Sequence, residues 1–214
     1  GSEFSLAVAD PQVAGSDVMG GAARIRTDFY PRGIHDFVKI EVVDRSLLGF
    51  QAGRLLQRLC DIETYRHTAL LALPQAQDAM PLTTEMDRSL SDITLRMSQG
   101  NNATEILQEL TELAAEVEVL SADTANRFAA TSAYFAMLER RIEELREERT
   151  EGLQTIQQFM ERRLDPAKRT CLSANERIER LSRRIARTSD LMRSQVDFSI
   201  EQQNQELLTG LNDR

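Results

Sequence analysis

Two stretches decide the fold class: Arg24-Ile25-Arg26-Thr27-Asp28-Phe29-Tyr30 and, beyond Pro31-Arg32-Gly33, Phe37-Val38-Lys39-Ile40-Glu41-Val42-Val43. Ile25, Thr27 and Phe29 fall on one side of an extended chain, and Val38, Ile40 and Val42 repeat that period of two. Pro-Arg-Gly between them is turn chemistry. The pair reads as an antiparallel hairpin with a dry face and a wet face. Two strands do not stand alone in water, so this hairpin lies on helices or joins further strands. Upstream, residues 5–20 are small and Gly-containing, with a short apolar piece at Leu6–Ala9 that fits a partial strand or a loose arm.

After Ser46 the apolar spacing changes from two to three and four. A first helix is expected over 47–73, with Leu55, Leu59, Ile62, Ala69 and Leu73 on one stripe and Pro74 as its end. A second, near 82–99, starts at Thr83 or Thr84 as N-cap and stops at Gly100-Asn101. A third opens at Asn102, with Glu105 three residues on in capping-box spacing. Its stripe of Ile106, Leu110, Leu113, Val117, Leu120, Phe128, Phe135, Leu138, Ile142 and Leu145 carries it to Leu164, about 90 Å at about 1.5 Å per residue, with an irregularity near Gly152. Asp165-Pro166 suits an N-cap and a first helical residue. The last helix then carries Ile178, Leu181, Ile185, Met192, Val196, Ile200, Leu207 and Leu211 over about 70 Å. The expected fold is α+β and mostly α: a small antiparallel sheet, a helical layer, then a long antiparallel helical stalk. The expected division is residues 5–45 for the sheet, 46–101 for the layer and 102–214 for the hairpin of long helices. Gly1-Ser2-Glu3-Phe4 reads as a cloning remnant ahead of a piece of a longer protein.

Composition narrows the function classes. The 214 residues carry 26 basic and 34 acidic side chains, a net charge of -8, which argues against nucleic acid as partner. Hydrophobic residues make up 41 %, enough to build a core and to exclude wholesale disorder. Cys60 and Cys171 are too few for a disulfide framework and fit small buried thiols better than nucleophiles. No run of 18 apolar residues exists.

The charges are unevenly placed. Residues 103–126 hold Glu105, Glu109, Glu112, Glu116, Glu118 and Asp123 with no basic residue, whereas 162–193 hold ten basic side chains against four acidic. Two readings stay open: complementary rims of adjacent helices, or a basic collar for anionic lipid or an acidic partner. Glu139–Glu151 reads as a solvated helix laced by i, i+4 pairs. On the first helix, Arg54, Arg58 and Arg66 stand near Asp61, Glu63 and Tyr65, which allows either anion binding or salt bridging. Asp87 with Asp92, or Glu116 with Glu118, would hold a divalent cation only with oxygens from a second chain.

Catalytic signals are sparse. His35 and His67 are far apart, and no His-x-x-x-His or Cys-x-x-Cys pair, phosphate loop or nucleophile elbow occurs. Gly20-Gly21 precedes a strand and so is no dinucleotide fingerprint. A non-enzymatic role is expected.

Leu48-Gly49-Phe50-Gln51-Ala52-Gly53-Arg54-Leu55-Leu56-Gln57-Arg58-Leu59-Cys60, the run on to Gln77, Arg162-Arg163-Leu164-Asp165-Pro166-Ala167-Lys168-Arg169-Thr170-Cys171 and Gln202-Gln203-Asn204-Gln205-Glu206-Leu207-Leu208 resemble an uncharacterised family of bacterial membrane-anchored proteins. The architecture is in turn similar to the cytoplasmic part of CorA-type magnesium channels, whose Gly-Met-Asn pore motif is not in this chain. The resemblance implies a domain on the cytoplasmic face of the bacterial inner membrane, ahead of an anchor. It also implies a regulatory module for divalent cation transport, with Mg2+ as ligand, no metal residue assigned, and a homo-oligomer built through the long helices. The packing surface would be Ile185, Met192, Val196, Ile200, Leu207 and Leu211. The alternative is a membrane-tethered coiled-coil scaffold without transport activity.

Overall fold

The computed structural model describes residues 13–32, 37–100 and 102–212. Expectations placed on Leu6–Ala9, Gly33, His35, Asn101 and the side chains of Leu207 and Leu211 fall outside them. Element order is β1 (Ala14–Val18), β2 (Ala23–Arg32), β3 (Phe37–Asp44), α1 (Gly49–Leu70), α2 (Leu73–Ser98), α3 (Ala103–Glu143), β4 (Glu148–Arg149) and α4 (Ile156–Asn212). Three quarters of the described residues are helical, and the fold is α+β, mostly α. The chain divides into two units, residues 1–72 with 129–169 and residues 73–128 with 170–214.

The first unit holds a four-stranded antiparallel sheet in the order β3-β2-β1-β4. The hairpin of β2 and β3 forms as its alternation requires, with Ile25 opposite Val42 and Thr27 opposite Ile40. Ile25, Thr27 and Phe29 are buried, while Val38 and Ile40 are half-covered at the sheet edge. Between Thr27 and Pro31 the register slips, and Phe29 takes a positive φ of 52°. The Thr27 hydroxyl secures the bulge, donating to Lys39 O at 2.9 Å and accepting from Phe29 N. Gly20 and Gly21, both at positive φ, turn β1 into β2. Sheet and helices share one core, in which Ile25, Phe29, Leu55, Leu59 and Ile62 meet Phe135, Leu138, Ile142, Leu145, Ile156, Phe159 and Met160.

The third helix differs from its expected course. It ends at Glu143, and residues 144–155 leave the helix to place β4 against β1. The stretch expected as a solvated helix is therefore helix to Glu143 and then part turn and part strand; of the i, i+4 pairs, Arg140–Glu144 is formed. Glu147 explains the break. Its carboxylate accepts from Ser16 Oγ at 2.5 Å, from Ile156 N at 2.7 Å and from Gln157 N at 2.9 Å, so it caps α4 and ties it to β1. Gly152, at φ 78°, permits the return.

Asp165-Pro166 does not start a helix. Pro166 lies inside α4, flanked by the buried Leu164 and Ala167, and Asp165 pairs with Arg169 at 3.6 Å. Packing outweighs the proline's local preference here.

In the second unit α2 starts at Leu73, ahead of the expected position, with Pro74 in its first turn where no N–H is needed and Pro81 inside it. The hydroxyls of Thr83 and Thr84 donate back to Met80 O at 2.9 Å instead of capping a helix start. Asn102 does act as expected: its side chain accepts from Thr104 N at 3.2 Å. Leu90, Ile106, Leu110, Val117, Ile178, Leu181 and Ile185 are buried along the three helical segments of this unit.

Candidate functional site

The polar cluster on α1 resolves into ion pairs. Arg66 grips Glu63 with two bonds of 2.9 and 2.7 Å, and His67 Nε2 lies 2.9 Å from the same carboxylate. Arg58 reaches Glu144 at 3.4 Å, and Asp61 accepts from Arg141 at 2.9 Å. Arg54 lies over the Phe50 ring, and Tyr65 stacks on Tyr134. The three guanidinium groups therefore do not converge on one point. Glu144 collects Arg58, Arg140 and Arg141. Arg141's hydrogen bond, ahead of the charges, holds the Glu144 carboxyl below its usual range.

In the same unit an apolar groove of about 230 Å³ opens between the end of α3 and the start of α4. Phe135, Leu138, Ile142, Met160 and Leu164 form its floor, and Glu139, Glu143, Glu161 and Asp165 its rim. Lys168 pairs with Glu139 at the mouth. Sequence reading missed this groove because it treated 102–164 as one helix, which cannot face itself.

The second unit carries the basic counterpart. Thr83 and Asp87 of α2 and Ser173, Arg177, Arg180, Leu181 and Arg184 of α4 line a groove of about 350 Å³. Arg177 donates to Thr84 Oγ1 at 3.0 Å, and Arg184 pairs with Asp87. Helical spacing aligns the three arginines, and Asp87 offsets one of their charges. The forked donors that remain suit an anion.

The acidic segment meets a different partner from the one expected. Glu109 pairs with Arg96 of α2, and that bond holds Glu109 below its usual range and raises Arg96. Among the described residues no ion pair joins 103–126 to 162–193; α2 supplies the opposite charges to both segments. Asp92 binds Arg96 at 3.3 Å, so neither Asp87 nor Asp92 stands without a cation. Among the described residues no group of three or more His, Cys, Asp or Glu is placed to hold a metal ion.

The expected packing stripe divides along its length. Ile185 and Met192 are buried at 2 % and 4 % exposure, Val196 is half-buried, and Ile200 is 51 % exposed. The thiols divide too. Cys171 is buried, which pushes its pKa up, whereas Cys60 is exposed, contrary to the buried position its stripe suggested. No helix is long and apolar enough to cross a membrane, among the described residues.

A family model described as "Protein of unknown function (DUF3422)" matches residues 2–214, and the chain belongs to that family. Comparison with curated proteins gives no match, and comparison with solved structures gives none.

Proposed function

We propose that this member of DUF3422 is a helical assembly module without catalytic activity, which joins a second copy of itself through the C-terminal part of α4. One observation carries the reading: the apolar period of α4 continues where its covering stops. On that stripe Ile200 is 51 % exposed, and Phe198, on the opposite side of the helix, is 69 % exposed. An amphipathic helix with an uncovered stripe is completed by a partner face. In this reading the module is a scaffold tethered to the cytoplasmic face of a bacterial membrane. The basic groove of Arg177, Arg180 and Arg184 supplies a second contact, for an acidic segment of a partner.

Regulation of magnesium transport in a CorA-like protein is the rival role for the same surface. Light scattering with and without millimolar magnesium tests both. A mass above the monomer that falls with Phe198→Ser and Ile200→Ser, and ignores magnesium, supports the scaffold. A magnesium-dependent mass transfers support to cation regulation, and a monomer under all conditions overturns self-assembly through α4.

A further inference from the structure

Strand β3 is an edge strand: among the described residues no strand pairs with its outer side. Its hydrogen-bonding phase follows from two contacts. Ala23 stands opposite Asp44, and Arg45 N donates to Ala22 O at 3.0 Å. In an antiparallel ladder this makes Ala23–Asp44 a non-hydrogen-bonded pair, so residues 41 and 43 bond to β2. Lys39 keeps the phase, with its carbonyl accepting from Thr27 on β2. The N–H and C=O groups of Val38, Ile40 and Val42 consequently aim outward. Such an edge is a template for another strand.

The sequence of that edge is complementary to itself. Phe37-Val38-Lys39-Ile40-Glu41-Val42-Val43, laid antiparallel on its own copy about Ile40, sets Val38 opposite Val42, Lys39 opposite Glu41 and Phe37 opposite Val43. We infer that β3 pairs with β3 of a second copy about a two-fold axis through Ile40, joining the two sheets into one. The phase agrees with this axis. Ile40–Ile40 and Val38–Val42 become hydrogen-bonded pairs that use the outward groups. Lys39–Glu41 becomes the closer, non-hydrogen-bonded pair, where side chains approach most tightly. Lys39 lies 3.0 Å from Glu41 of its own strand, and each charge gains a second opposite charge across the axis. Phe37, 72 % exposed, and Val43, 49 % exposed, come opposite one another across the axis and cover one another. Phe37, Val38, Ile40 and Val42 line, with Leu56 and Leu59 of α1, a groove of about 540 Å³ whose polar side is Glu63, Thr64 and His67, and the partner's strand extends it. A contact in which the same patch serves both copies closes as a dimer.

The pairing goes beyond the α4 contact and is tested apart from it, in a chain carrying Phe198→Ser and Ile200→Ser. Sedimentation of that chain is expected to show a dimer. Lys39→Glu alone, or Glu41→Lys alone, places like charges opposite one another twice and raises the dissociation constant about tenfold. The double exchange, Lys39→Glu with Glu41→Lys, restores it. Val42→Pro removes an outward N–H while sparing the β2 ladder, and yields monomer with an unchanged circular dichroism spectrum. A monomer at about 0.1 mM in this background overturns the pairing. So does a dimer insensitive to both charge reversals. Failure of the α4 contact shows separately, as equal masses with and without the Ser substitutions.

Discussion

The two units use the same two long helices differently. In the first, α1 and the facing parts of α3 and α4 close over a sheet, and polar groups bind across large sequence distances, as Ser16 does with Glu147. In the second, helices alone bury Leu90, Leu110, Ile178 and Ile185, and the polar links run through α2: Arg96 to Glu109, Arg184 to Asp87, Arg177 to Thr84 and Gln75 to Asp123 O. Backbone register specifies the first unit, and side-chain complementarity specifies the second. The same apolar period therefore supports two kinds of packing along one helix.

Substitution in each core separates them most strongly. Ile25→Ala and Leu110→Ala each remove a side chain with no exposed surface, at about 2–5 kcal/mol. Hydrogen exchange read by mass spectrometry is expected to lose protection in 13–72 before 73–128 for the first, and in the reverse order for the second. Equal loss in both regions would make the two units one cooperative body. Glu147→Ala comes next. Leaving Ser16, Ile156 N and Gln157 N without their acceptor costs about 1–3 kcal/mol, read by urea unfolding. Glu109→Gln, on a solvated pair, is expected to move the urea midpoint less.

Acid gives the smallest and most graded contrast. Arg24's hydrogen bond holds Asp17 below its usual range and Arg141 does the same for Glu144, both in the first unit, against Glu109 alone among the described residues, held by Arg96, in the second. Carboxylates lowered on folding stabilise the native state above their unfolded pKa, and the contribution disappears as pH falls through the folded value. Urea midpoints are expected to hold from pH 8 to about 5 and to fall below about 4. Asp17→Asn is expected to flatten that fall, and an unchanged slope would remove Asp17 from the account.

Much of this architecture was legible because periodicity reports which face is dry. Ile25, Thr27 and Phe29 are buried as their alternation requires, and Asn102 starts α3 as its side chain suggests. Of the break at 144–155 only an irregularity near Gly152 was legible. Glu139–Glu151 has helical charge spacing, and its exit depends on Glu147 finding Ser16, a residue 131 positions away. Pro166 misled for the opposite reason, since tertiary burial held the helix through it. At the candidate sites, the local pairs Glu63–Arg66 and Glu63–His67 follow from spacing. The basic groove does not, because Thr83 and Asp87 come from another helix.

Glu147 also has a consequence in time. Strands β1 to β3 emerge from the ribosome ahead of the helices, but the group that fastens β1 and starts α4 arrives about 100 residues after β3 is complete. At synthesis rates of about 5–20 residues per second, that is an interval on the order of ten seconds. During it both edges of the young sheet, the outer side of β3 and the side of β1 that β4 later occupies, are open to other strands. Closure across so long a loop is intrinsically slow. The nascent chain therefore spends its most adhesive period waiting for one carboxylate.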